Sequence, residues 1–103
     1  MQVQVNTDSS LDADLTLIAE VEATVQAALA RFSDRVTRVE VHLNDVNKQK
    51  GGEDKRCLIE ARLAGRNPVA VSHQAGTIPL ALDGATDKLL RRLDRALGRT
   101  KAR

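Results

Sequence analysis

Aromatic side chains are almost missing from this chain of 103 residues, in which Phe32 is the only one and neither tyrosine nor tryptophan occurs. The hydrophobic core must therefore be aliphatic, with Phe32 as its one expected aromatic member. Proteins that bind single-stranded nucleic acid commonly stack the bases on exposed aromatic rings. Without such rings, a nucleic-acid partner would have to be recognised by its folded shape and its charge.

The sequence also gives no indication of a disulfide, a membrane span or an export signal. Cys57 is the single cysteine, so no bridge can form within the chain. No apolar run approaches the roughly 18 residues of a membrane-spanning helix. The first ten residues, MQVQVNTDSS, have neither the basic flank nor the apolar stretch of a signal peptide. We therefore expect one cytoplasmic domain over residues 1–103, with no membrane partner.

Charge is distributed unevenly along the chain, although the net charge is only +2. Residues 1–47 contain three basic and eight acidic side chains, whereas residues 48–103 contain thirteen basic and six acidic ones. Such an asymmetry predicts that anion binding is concentrated on one side of the molecule.

The most basic segment, LALDGATDKLLRRLDRALGR from Leu80 to Arg99, has the periodicity of an amphipathic helix. At 3.6 residues per turn, five basic residues fall within about 60° of one line, and a leucine line lies about 140° away. If the leucines are buried, the helix presents the basic line to solvent in a fixed orientation. Such an array of positive charges is suited to binding a polyanion such as RNA. The basic line consists of Lys88, Arg91, Arg92, Arg95 and Arg99.

Alternation and helical periodicity divide the chain into six elements. We predict strands over 2–6, 37–44, 55–64 and 69–74, and helices over 11–32 and 79–98. Asp8, Ser9 and Ser10 are candidates to cap the first helix, and Gly98 is the expected stop of the second. The first helix should bury an apolar face made of Leu11, Leu15, Ile18, Val21, Val25, Leu29 and Phe32.

This order, β-α-β-β-β-α, predicts an α+β fold. The helical crossover after the first strand indicates a parallel pairing, and the next three strands an antiparallel meander. Both helices have one apolar face, so we place them together on one face of a four-stranded sheet.

Sites for metals, cofactors or catalysis are not indicated. His42 and His73 are the only histidines, and neither has metal ligands at the usual spacing. Strand alternation puts Cys57 and His42 on opposite faces, and nothing but its residue type favours His73 as a partner for Cys57. Gly51-Gly52 lacks the lysine and hydroxyl of a phosphate loop. We therefore expect no enzyme, no cofactor, no metal and no small-molecule substrate.

Two segments resemble the ribosome hibernation promoting factors, also described as ribosome-associated inhibitor or sigma-54 modulation proteins. ALDGATDKLLRRL, from Ala81 to Leu93, is similar to that family's A-I-D-x-x-x-D-K-L-x-R-Q-L helix start, and RVTRVEVHL, from Arg35 to Leu43, fits more loosely. The resemblance implies a double-stranded-RNA-binding-domain-like fold. It also implies a non-enzymatic factor on the small ribosomal subunit, in the channel of messenger and transfer RNA, that silences translation under stress. The chain would be a short form without the C-terminal dimerisation domain of longer members.

The first helix departs from the family's pattern, in which lysines follow both helices. Here it carries Asp12, Asp14, Glu20 and Glu22 against the single base Arg31. Two interpretations remain open. The chain binds ribosomal RNA through its second helix, or it is a protein-interaction module whose acidic helix meets a basic partner.

On the first interpretation, the partner is the small subunit and the protein is monomeric off the ribosome. Asp87, at the edge of the basic line, is expected to pair with Arg91 one turn on. Gly84 is expected to allow close packing of the second helix. The predicted phosphate-binding residues are Lys88, Arg91, Arg92, Arg95, Arg99, Lys101, Arg62 and Arg66.

Overall fold

A computed structural model describes residues 1–11, 14–46 and 54–97 of the chain. The described residues form a four-stranded sheet of order β1-β2-β3-β4, with β1 parallel to β2 and the other pairs antiparallel. This confirms the predicted α+β fold and its element order. The elements are β1 (Gln2–Thr7), α1 (Leu15–Ala28), a 3₁₀ turn (Ala30–Phe32), β2 (Val36–Asp45), β3 (Lys55–Leu63), β4 (Val69–Ala75) and α2 (Ile78–Ala96).

One core lies between the sheet and the two helices. Strand alternation turns Val39, Val41 and Ile59 inward, where they are fully buried. They share a single cluster with Val25 of α1 and Leu89 of α2, so both helices pack on the same face of the sheet, as predicted. Phe32 is buried in this core too.

The other face of the sheet carries no helix and displays polar side chains. Arg38 donates to Glu40 at 3.0 Å and to Gln2 at 3.0 Å, and it also contacts Gln4. The hydrogen bond from Arg38 holds the pKa of Glu40 below its usual value. His42 lies 3.5 Å from the same carboxylate. These contacts tie β1 to β2 on the open face.

The first helix, Leu15–Ala28, is shorter at both ends than the predicted range 11–32, and the predicted N-caps were wrong. Its N-cap is Asp14, whose carboxylate accepts a hydrogen bond from the backbone N–H of Leu17 at 2.9 Å. Ser10 instead accepts from the N–H of Asp45 at 3.0 Å, which ties the preceding turn to β2. Leu15 is 83% exposed and does not belong to the buried face, whereas Leu17 packs against the core.

The second helix begins as its sequence predicts. The hydroxyl of Thr77 accepts from the N–H of Leu80 at 3.3 Å, and Pro79 lies in the first turn, where its missing N–H costs nothing. The expected stop at Gly98 lies outside the described residues. Neither described helix is long and apolar enough to cross a membrane.

Candidate nucleic-acid interface

The basic line of α2 lies on one flank of a helix that is anchored by its leucines. Leu82, Leu89 and Leu93 are buried against the sheet. Because these leucines fix the rotation of the helix, the basic side chains are presented to solvent from a rigid support. Four of the predicted residues are exposed on this flank: Lys88, Arg91, Arg92 and Arg95.

These four side chains line a groove with the edge of the sheet. The groove has a volume of about 500 Å³, and its other wall is the β4 segment from Ala70 to Ser72. Because β4 is an edge strand, its outer backbone groups are not used in the sheet. Lys88 Nζ donates to the carbonyl oxygen of Ser72 at 2.9 Å, which joins the two walls. We call this feature the basic groove.

Two arginines of the basic groove are available to bind an anion, because they form no ion pair with a described residue. Arg91 pairs with Asp87 one turn earlier at 2.7 Å, which confirms the predicted pair. Both side chains of this pair are more than 60% exposed, so the pair is easily exchanged for another partner. Arg92 and Arg95 have no ion pair with any residue in the part of the chain that the structure describes. Fixed cations without a local counter-ion are the expected features of a phosphate site.

His73 is a neighbour of the basic groove that sequence reasoning did not place there. Its ring lies against Gly84 of α2, where a Cβ atom would come within 2.1 Å of His73 Cδ2. The absence of a side chain at Gly84 therefore lets β4 and α2 approach closely, which confirms the close packing predicted for this position. Gly84 and Lys88 are one helical turn apart, so this contact brings the basic side chains against the sheet edge.

The remaining predicted residues are separated by the fold. Arg66 lines a second cleft, beside Ala96 at the last turn of α2, and so lies beyond the end of the basic groove. Arg62 pairs in register with Arg38, on the helix-free face of the sheet. The structure therefore does not bring Arg62 together with the basic groove. Arg99 and Lys101 lie outside the described residues.

Acidic side chains lie on the opposite flank of α2, toward α1. Glu20 of α1 and Asp83 of α2 border a small cleft between the two helices. Asp94 is paired with Arg31 at 3.0 Å, and the Arg31 guanidinium also lies 4.5 Å from the centre of the Phe32 ring. Arg31 is thus in contact with both Asp94 and Phe32. The basic flank and the acidic flank lie on opposite sides of α2.

Cys57 and His73 are direct neighbours on β3 and β4, a juxtaposition that the sequence left open. The thiol is fully buried, and burial raises its pKa to about 12. A thiol that keeps its proton in this way is a poor nucleophile. Across the three described ranges, no group of three histidine, cysteine, aspartate or glutamate residues could hold a metal ion.

Solved structures of other proteins share this fold. The N-terminal domain of Protein Y from Thermus thermophilus superposes with a TM-score of 0.73 at 22% identity, over 92% of this chain and 98% of that one. A ribosomal subunit interface protein from Coxiella burnetii gives a TM-score of 0.72 at 17% identity, over 93% of this chain and 97% of that one. At these identities the likeness establishes the fold.

The family itself is established by sequence. No curated protein sequence matches the chain. A family model described as sigma 54 modulation protein / S30EA ribosomal protein, however, matches residues 5–101, nearly the whole length. This match confirms the resemblance carried by the helix start and the β2 segment, and the chain belongs to the sigma 54 modulation protein / S30EA ribosomal protein family.

Proposed function

We propose that this protein is a non-enzymatic translation regulator that binds the small ribosomal subunit through phosphates of ribosomal RNA. It acts in the cytoplasm, as a monomer off the ribosome, and silences or protects idle ribosomes under stress. Membership of the family supports a ribosomal partner. The observation that carries the proposal is the basic groove, in which Arg92 and Arg95 lie without a carboxylate partner among the described residues.

The chemistry of the groove suits a phosphate backbone better than individual bases. An arginine guanidinium is planar and meets two phosphate oxygens at once. Phosphate contacts fix position and supply affinity, but they do not distinguish bases. The groove offers no aromatic ring for stacking. We therefore infer that the protein recognises a folded RNA surface by shape and charge, and that its presence on the subunit is what blocks translation.

The test uses a double charge reversal, Arg92→Glu with Arg95→Glu. Neither side chain has an ion pair with a described residue, so the double reversal should leave the melting temperature nearly unchanged. We expect it to abolish co-sedimentation with small subunits and to remove inhibition of a translating extract. The matched control, Arg31→Glu with Arg35→Glu, changes the net charge equally at residues that do not line the groove, between α1 and β2, and should still bind.

Two results would contradict the proposal. Retained binding by the Arg92→Glu/Arg95→Glu protein would move the site away from the basic groove. Equal loss in both double variants would show that only the overall charge matters. Arg62→Glu, made alone, tests the open face of the sheet as a second contact, because the structure places Arg62 on that face.

A further inference from the structure

The cleft between α1 and the start of α2 is a second surface with a chemistry opposite to that of the basic groove. Its volume is about 170 Å³. Val21, Ile78 and Leu82 form a buried apolar floor, and Leu17 is half-buried beside them. An apolar cavity of about 150 Å³ is known to accept a molecule of benzene. The cleft is therefore of the right size for one aliphatic side chain.

The charged groups at the rim of this cleft are two carboxylates. Glu20 and Asp83 are exposed on opposite sides of the floor, with Thr24 and Pro79 as the other exposed members of the rim. Within the part of the chain that the structure describes, neither carboxylate has an ion-pair partner. Two uncompensated negative charges flanking an apolar floor complement a cationic partner that carries an aliphatic residue.

The start of α2 does not offset these charges strongly. A helix N-terminus ordinarily attracts anions through its free backbone N–H groups. Here the N–H of Leu80 is bonded to the Thr77 hydroxyl, the N–H of Ala81 to the Thr77 carbonyl, and Pro79 has no N–H. Few free donors therefore remain at the cleft, and the carboxylates dominate its electrostatics.

We propose that this cleft docks a short basic protein segment, inserting one aliphatic side chain between the helices while its lysines or arginines meet Glu20 and Asp83. The surface lies across α2 from the basic groove, so a partner of this kind can be held while RNA occupies the groove. The proposal does not depend on RNA binding. The Arg92→Glu/Arg95→Glu protein should bind the segment undiminished.

The test measures fluorescence anisotropy of a labelled peptide, RKLKR, titrated with the protein at low salt. Two controls vary the probe: RKSKR lacks the aliphatic side chain, and EDLDE reverses the charge. We expect RKLKR to bind, RKSKR to bind more weakly, and EDLDE not to bind. No binding of RKLKR, or equal binding of RKLKR and RKSKR, would overturn the proposal, since the cleft would then contribute nothing specific.

Protein variants locate the site. Glu20→Gln with Asp83→Asn should weaken RKLKR binding by about threefold to tenfold, the range expected for two exposed charge contacts. The matched control, Glu22→Gln with Asp34→Asn, removes the same charges elsewhere and should not change binding. Thr24→Phe fills the cleft from its exposed rim and should block the peptide without loss of charge. Equal weakening by both double variants, or full binding by Thr24→Phe, would overturn the proposal.

Discussion

At the scale of single residues, Gly84 determines how closely α2 approaches the sheet. Glycine in a helix interior costs about 1 kcal/mol relative to alanine, so its presence needs a local reason. The ring of His73 supplies one, because it occupies the space that a Cβ atom would fill. The glycine was visible in the sequence, but its partner was not, since His73 lies eleven residues away on β4.

This contact predicts that the effect of Gly84→Ala depends on residue 73. In the natural protein the substitution should lower the free energy of unfolding by about 1 to 3 kcal/mol, because the ring must shift. In a His73→Ala background the clash is absent, and Gly84→Ala should raise stability by up to about 1 kcal/mol through helix propensity. Urea unfolding of the natural protein, the two single variants and the double variant gives the coupling free energy between positions 73 and 84. Additive effects would contradict the assigned contact.

Burial of the Cys57 thiol predicts a pH dependence of stability above neutrality. The unfolded thiol ionises near pH 9.0, whereas burial holds the folded pKa at about 12. Unfolding therefore releases a proton between these values, and the free energy of unfolding falls by about 1.4 kcal/mol per pH unit in that window.

Urea unfolding between pH 9 and pH 11 measures this slope, with Cys57→Ala as the comparison. The alanine protein is less stable throughout because it loses packing, but it should lack the part of the slope that comes from the thiol. No tyrosine is present to titrate in the same range. Identical slopes in both proteins would show that the thiol ionises equally in the folded and unfolded states.

At the scale of elements, the start of α1 was the least predictable boundary. Apolar periodicity extends back to Leu11, and Asp8, Ser9 and Ser10 all have side chains suited to capping. In the structure Asp14 is the cap, whereas the Ser10 hydroxyl accepts a hydrogen bond from the backbone of β2. Because several polar residues before α1 are equally suited to capping, the structure was needed to identify the one that caps the helix.

The assigned cap predicts a specific pair of substitutions. Asp14→Ala should lower the free energy of unfolding by about 1 kcal/mol, because the N–H of Leu17 loses its acceptor. Asp14→Asn keeps the cap and should be close to neutral. Thermal unfolding followed by circular dichroism measures both. A neutral Asp14→Ala would place the functional cap elsewhere.

At the scale of the whole molecule, α2 divides two surfaces of opposite charge. The basic groove lies along β4, and the acidic cleft lies along α1. The linear charge asymmetry of the chain predicted a concentration of anion binding on one side. The asymmetry suggested that the boundary between acidic and basic surfaces follows the middle of the sequence. This is only approximate, because Asp83 lies in the basic second half of the sequence but on the acidic flank of α2.

The basic groove predicts salt-dependent binding of small-subunit RNA. The logarithm of the binding constant should fall linearly with the logarithm of salt concentration, as the arginines displace counterions from the phosphates. Arg92→Ala with Arg95→Ala should reduce the slope by roughly 0.7 to 0.9 for each phosphate that is no longer neutralised. Filter binding at four salt concentrations measures it. A parallel displacement of the line, with an unchanged slope, would indicate that these arginines do not neutralise phosphates.

The sequence alone determined the element order, the buried faces of β2, β3 and α2, and the composition of the basic line, because strand and helix periodicities are local properties. It also identified the family through the start of α2. Only the tertiary structure decided that β4 forms the second wall of the groove and that His73 packs on Gly84. These features depend on which strand reaches the sheet edge and on how closely α2 packs against it. Neither is encoded in a local pattern, since both result from burying all of the apolar faces in one core.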